Sequence, residues 1–372
     1  MSNPKIPELK ISDLKICDLH CDSAQFWQAG SSLTDTSLHV SLPYLIEAGV
    51  RLQVFAAYVP ASLPRDRCFS FACQTIARIK EEIDGHPDRI ILCRNSREVE
   101  AAMDRGQIAA VLAVENGDAI EEDLGKLQQL YEMGVRLMTL IHTRSNDWVI
   151  SSKDKKPAFP GLSRFGEEVV ETMNGLGMII DVSHAHDRAV ERVLERSSAP
   201  IVASHSCMYA LCAIPRNIKD ELIRGIAAGG GVVGLNFMPA FLDRDYLKIA
   251  EKRCSAAFAE LDRLDEKAGD DPMALGRAWM KFVGDYIRRM AGEKVSLEKL
   301  LEHIDYLVDL AGEEVAAFGS DFDGIPDTPA RLEDCRGFKN ILQGLRDRGY
   351  SQNRLEKICW SNFLRVLRTV CG

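Results

Sequence analysis

Apolar residues recur along this chain in two rhythms. Short runs of mostly Val, Ile, Leu and Ala, each closing on polar residues, stand at 15–22 (KICDLHCD), 51–59 (RLQVFAAYV), 108–116 (IAAVLAVEN), 135–142 (VRLMTLIH), 178–184 (MIIDVSH), 200–206 (PIVASHS), 231–237 (GVVGLNF) and 315–324 (VAAFGSDFDG). Within a run there is little alternation of apolar and polar, which is the mark of a strand covered on both faces. Between the runs the spacing changes to three and four, as in ACQTIARIKEEIDG, EDLGKLQQLYEMG, FGEEVVETMNGLG, DRAVERVLERSS and DELIRGIAAGG. These segments predict amphipathic helices, several ending at a glycine suited to the position just past a helix. Eight strand-like runs alternating with helices predict an α/β fold, a (β/α)8 TIM barrel.

The connection between the seventh and eighth runs is longer than the others. Residues 238–300 are rich in charge and helical in pattern, and predict a helical insertion that helps to wall a site. Little in that stretch could form a core of its own. The expectation is therefore a single metallohydrolase domain over 1–372 that carries the 238–300 insertion.

Composition narrows the function classes. Hydrophobic residues make up 46% of the 372 positions, enough for a large core, and the net charge of -9 suits neither a nucleic acid nor an anionic membrane surface as partner. The stretch MSNPKIPELKISDLK has charges throughout and no apolar centre, so no secretory leader is expected, and no run is long enough to span a bilayer. The 11 cysteines have no paired spacing, which points to reduced core thiols and a cytoplasmic setting.

The candidate chemistry lies at the strand ends. In a barrel of this kind the C-terminal ends of the strands meet in one mouth. Four of the eight histidines close four different runs: His20, His142, His184 and His205. Asp22, Glu115 and either Asp321 or Asp323 occupy equivalent places. His39, His86, His186 and His303 fall in loops or helices. His186 is next to DRAVERV and reads as a helix entry, which favours His184 as the residue that faces the mouth. Imidazole and carboxylate without clustered thiols suit Zn²⁺ best, with Mn²⁺ or Co²⁺ as substitutes. His20 and Asp22 share one face of their strand, and Cys21 points away. Glu115 follows AAVLAV, where an unpartnered carboxylate would be costly; a cation removes that cost, and two oxygens could bridge two ions. For the DFDG pair, Asp321 lies nearer the strand and is preferred, although two aspartates before a glycine also make an ordinary turn. Trp148, Tyr209 and Met238 follow strands and could line a pocket or simply pack.

The segments DLHCDS, VENGDAI, LMTLIHTRSNDW, LSRFGEEVVETMNGLGMIIDVSH, SSAPIVASHSCMYALCAIPRNI, GGVVGLNFMPAFL, HIDYLVDLAG and FGSDFDGIP together resemble the membrane (renal) dipeptidase family of zinc metallopeptidases, amidohydrolase-like barrels. The resemblance runs from about Asp18 to Leu367 and is weakest in 61–105 and 240–295. It implies a binuclear zinc dipeptidase with two Zn²⁺ per chain, cutting the peptide bond of small dipeptides with a metal-bridging hydroxide. His20 and Asp22 would serve one ion, His184 and His205 the other, and Glu115 would bridge them. His142 would stabilise the tetrahedral intermediate, Arg216 would hold the substrate's terminal carboxylate, and Asp321 would transfer the proton. A homodimer is also implied. Leu19 and Cys21 stand where the family usually has Gly and Asn, and Asn116-Gly117 replaces Gly-Gly after the bridging Glu, so pocket shape and substrate preference stay open. The alternative for Arg216 is an ion pair with Asp220 on the next helix. The alternative functions are hydrolysis of another amide or ester, such as a lactone or an N-acyl amino acid, and a metal-binding barrel without catalysis.

Overall fold

The structure is a computed structural model that describes residues 11–156 and 158–372. The first ten residues of the stretch read for a leader lie outside the described residues. Nine parallel strands are present among the described residues: β1 (Ile16–Cys21), β2 (Val50–Tyr58), β3 (Ile90–Leu92), β4 (Ile108–Glu115), β5 (Val135–Thr139), β6 (Ile179–Asp181), β7 (Val202–Ser206), β8 (Val232–Leu235) and β9 (Ala316–Phe318). Their order is β2-β1-β9-β8-β7-β6-β5-β4-β3, and β2 also pairs with β4, which closes eight of them into a (β/α)8 TIM barrel. The eight runs of the sequence are these eight strands. The ninth, β3, pairs only with the start of β4, from Ile90 opposite Ile108 to Leu92 opposite Ala110, and stays out of the ring.

Every residue of β1 and of β4 is buried; β4 is accordingly apolar as far as Glu115, while β1 alternates Cys17, Leu19 and Cys21 with Asp18 and His20. One side of each strand packs against the helices and the other fills the barrel. Two glycines set how closely β7, β8 and β9 approach. A Cβ on Gly234 would sit 2.0 Å from the Ser204 carbonyl oxygen, and one on Gly319 would sit 1.7 Å from the same atom. Register then brings polar strand ends to one level. Tyr58 pairs with Glu115, Glu115 with Thr139, and Thr139 with Asp181 across four neighbouring strands.

Between β8 and β9 lie helices Pro239–Leu242, Arg244–Ala268, Pro272–Arg289 and Leu297–Ala311, in the place where the insertion was expected. The two long inner helices face each other through Cys254, Phe258, Phe282 and Tyr286. Gly276 lies against the short helix Ala24–Gln28 that follows β1, where an added Cβ would come within 2.6 Å of the Ala29 Cβ. The pair of helices is thus seated over the mouth end of the barrel. No helix among the described residues is long and apolar enough to cross a membrane. All 11 cysteines are free thiols, nine of them buried.

Candidate metal centre

The strand ends deliver His20, Asp22, Glu115, His184 and His205 to one point. Glu115, the last residue of β4, is 3% exposed and stands in the middle. Its Oε1 lies 3.2 Å from His184 Nε2 and 3.4 Å from His205 Nε2, and those two nitrogens are 2.9 Å apart. Its Oε2 lies 3.7 Å from His20 Nε2, which in turn is 3.3 Å from Asp22 Oδ2. Each carboxylate oxygen therefore belongs to a separate group of nitrogen and oxygen donors. The rings of His20 and His205 stack at 3.9 Å between centroids and join the two groups.

His142 and Asp321 border this cluster. His142 Nε2 is 3.9 Å from Glu115 Oε1, its ring tilts against His184 at 4.3 Å, and Tyr58 meets it edge-on at 4.9 Å. Asp321 Oδ1 is 4.0 Å from His20 Nε2, and its Oδ2 accepts a 2.7 Å hydrogen bond from Asn236. Asp323 turns the other way. It accepts from the backbone N–H of His39 at 2.7 Å, from that of Val40 at 3.2 Å, and from the Ser23 hydroxyl, and so ties the loop before the second helix to the barrel. Of the two aspartates in DFDG, the structure brings only Asp321 to the cluster. Gly324 completes the turn because a Cβ there would lie 2.0 Å from Asp22 Oδ2 and 2.6 Å from Asp321 Oδ1. His184 and Asp321 both adopt left-handed backbone, with φ of +67° and +62°, conformations that L-residues with side chains adopt at a cost.

Arg216 reaches the same mouth from the segment after β7. Its Nη1 donates to Ser206 Oγ at 3.1 Å and its Nη2 to the His205 carbonyl at 2.8 Å, while its buried Nε has no partner. The alternative pairing with Asp220 is not what is found. Asp220 instead accepts from the Tyr306 hydroxyl at 2.8 Å, and Arg216 makes no ion pair among the described residues. Burial pulls the Arg216 guanidinium below its ordinary pKa against the attraction of Asp321 and Glu115.

Burial dominates the electrostatics. It raises Glu115 well above the ordinary carboxylate range, with the charge of Asp22 adding to it. It raises Asp321 to about 7 in spite of His20. Burial also holds His142, His184 and His205 far below the ordinary imidazole value. For His20 burial acts downward too, but Asp22 and Glu115 overcome it and lift the ring to about 10. Desolvated carboxylates crowded against neutral imidazoles are an arrangement that a cation relieves.

The donor set fits such a cation. A tetrahedral ion with ligands at roughly 2.0–2.1 Å has edges of about 3.3 Å between its donor atoms. The triangle of Glu115 Oε1, His184 Nε2 and His205 Nε2 has edges of 2.9, 3.2 and 3.4 Å. His20, Asp22 and Glu115 form a second group of donor atoms, all within 4.8 Å of one another.

Other expectations sort themselves by contact. His186 caps the helix Asp187–Arg196, with its Nδ1 accepting from Arg188 N at 3.2 Å, and takes no part in the cluster. His303 is a core residue whose two ring nitrogens bond Met208 N and the Leu242 carbonyl at 3.0 and 3.1 Å. Trp148 is 1% exposed and packs edge-on against Phe165, and its ring closes on Gly117. Sequence reasoning passed over Tyr58 and Asn236, although each closes or follows an apolar run as the recognised residues do.

The chain has recognisable relatives among known proteins. The family model described as membrane dipeptidase, peptidase family M19, matches residues 9–371. An uncharacterized protein in the pqqA 5' region of Klebsiella pneumoniae is 31% identical over 301 residues, which is 80% of this chain and 95% of that protein. Dipeptidase 3 of Rattus norvegicus is 26% identical over 384 residues, 99% of this chain and 68% of its own. A metallopeptidase from Rhodobacter sphaeroides, solved with a phosphinate mimic of the dipeptide L-Ala-D-Ala, superposes with a TM-score of 0.77 at 24% identity, covering 96% of this chain and 99% of that one.

Proposed function

Since this chain belongs to the membrane dipeptidase family, peptidase family M19, and is a peptide-bond hydrolase, we propose that it is a two-zinc dipeptidase working at the His20–Asp22–Glu115–His184–His205 centre. The observation that carries this reading is the division of Glu115. One oxygen faces His184 and His205 and the other faces His20, so a single carboxylate would be shared by two ions. Mn²⁺ or Co²⁺ could replace zinc at donors of this type. When bound, the ions supply a water ionised near neutral pH and Lewis-acid polarisation of the scissile carbonyl.

The chain's own residues do the rest. His142 is kept neutral by burial, so it offers one N–H to the oxygen that gains charge as the carbonyl is attacked. Asp321, whose Oδ1 lies 4.0 Å from His20 Nε2 at the edge of the donor set, would take a proton and return it to the leaving amine. Arg216 is a desolvated fork without an anionic partner, which suits it to a free carboxylate one residue beyond the cut bond. That placement sets the length rule, because a longer peptide has no carboxylate there. The Rhodobacter relative's complex with a dipeptide mimic supports the same substrate class.

The test is a peptide panel on zinc-loaded protein. Dipeptides, including L-D pairs, should be hydrolysed and tripeptides should not. Zinc-loaded protein that cleaves no dipeptide, or that cleaves tripeptides equally well, overturns the reading.

A further inference from the structure

We propose that Asp181 is the positioning residue for the His184–His205 half of the metal centre, holding one histidine by its backbone and setting the tautomer of the other. The inference rests on the two-ion reading above and names a residue that does not itself face the ions.

Asp181 ends β6 and is fully buried. Its Oδ1 accepts from the backbone N–H of Ser183 at 2.9 Å and from that of Ser204 at 2.8 Å. Its Oδ2 accepts from the hydroxyls of Thr139 and Ser204, both at 2.6 Å. One side chain thus clasps β5, β6 and β7 just below the mouth. The Oδ1 bonds fix the turn that carries His184 into its left-handed conformation, and Ser183 Oγ then accepts from His205 N at 3.1 Å.

The Oδ2 bonds decide a proton. An ionised carboxylate can only accept, and a serine hydroxyl has one hydrogen to give. With Ser204 donating to Asp181, its oxygen can only accept in the 2.7 Å contact with His205 Nδ1. The ring hydrogen of neutral His205 is therefore on Nδ1, and the lone pair is on Nε2, the atom that faces Glu115 and His184. A ligating imidazole needs that tautomer, and a partner on its far nitrogen holds it there. The contrast within the site is informative, since His20 and His142 carry buried Nδ1 atoms with no such partner.

The experiment uses Asp181→Asn in the full chain with zinc alone as the probe. The amide would donate to Ser204 and Thr139, so each hydrogen bond survives with its direction reversed. Ser204 would then donate to His205 Nδ1 and move the ring hydrogen to Nε2. We expect one of two zinc equivalents to bind about 10- to 100-fold more weakly in chelator competition. The metal-free melting temperature should be close to wild type, and saturating zinc should restore kcat. Ser204→Ala, which cuts the relay but leaves the Oδ1 clasp, should weaken the same ion and serves if Asp181→Asn does not fold. Wild-type affinity for both ions in a folded Asp181→Asn, or in Ser204→Ala if the first variant fails to fold, overturns the proposal while leaving the two-ion reading intact. A wild-type protein that takes up no divalent ion overturns both.

Discussion

Arg216→Met separates binding from stability in a way the geometry makes quantitative. Arg216 is 7% exposed, has no ion pair among the described residues, and uses two of its nitrogens on neutral acceptors. In the free protein it is a desolvated cation only partly compensated. Methionine keeps most of the apolar stem and removes the charge. The Ser206 hydroxyl loses its donor, but the His205 carbonyl keeps a second one, the Asn236 side chain at 3.4 Å. The melting temperature of the metal-free variant should therefore be unchanged or raised, as when unpaired buried charges are replaced by packed apolar groups. Catalysis should move the opposite way. Deleting one partner of a buried charge pair costs about 3–5 kcal/mol, so kcat/KM for a dipeptide should fall roughly 10²- to 10⁴-fold. Zinc content should stay at the wild-type level. A dipeptide amide, which lacks the terminal charge, provides the internal control: wild type should strongly prefer the free acid and the variant should not. If turnover of the free acid is unchanged, or if acid and amide lose activity equally, Arg216 does not hold the carboxylate.

Three further outcomes follow from particular contacts. Asp321→Asn should abolish most turnover with little effect on unfolding, whereas Asp323→Asn should retain activity and lose about 2 kcal/mol in urea denaturation, because its amide would face backbone and hydroxyl donors; the reverse ordering would exchange their roles. Gly324→Ala should fold but bind zinc more weakly in chelator competition, since its new methyl group displaces Asp22 and Asp321; undiminished zinc affinity would refute this. His303, held by burial at about 4, binds fewer protons folded than unfolded, so its contribution is whole above pH 6.5 and erodes as pH falls toward 4. Wild type should lose up to about 3 kcal/mol relative to His303→Asn between pH 7 and 4, and parallel stability profiles would count against it.

The barrel and its cluster were legible because both depend on the same feature. A strand buried on two faces has no reason to end in His or Glu unless its end meets something polar, so His20, Glu115, His184 and His205 stood out from their apolar runs. The preference for Asp321 over Asp323 agrees with where the side chains lie, on the argument that the residue nearer the strand faces the mouth. What escaped was less conspicuous in sequence. The strand Ile90–Leu92 has three residues and one partner, too little for a run of its own to be distinctive. Asp181 was written within an apolar run and given no role, because its partners Thr139 and Ser204 come from other strands and only register joins them. Arg216 left two readings open, since spacing along a chain cannot say whether Asp220 turns toward it.

The helix pair Arg244–Ala268 and Pro272–Arg289 adds something that the ligand set alone does not. It springs from the interval between β8 and β9, contributes none of the cluster donors, and is tied to the rim by exposed ion pairs such as Arg67–Asp270 at 3.0 Å and Arg144–Glu266 at 3.8 Å. Pairs of that kind hold by about 1 kcal/mol or less. The surface pairs are therefore trimmings, and what fastens the canopy is its packed seam, with Gly276 set against Ala29 and the Tyr246 hydroxyl donating to Asp327 at 2.8 Å.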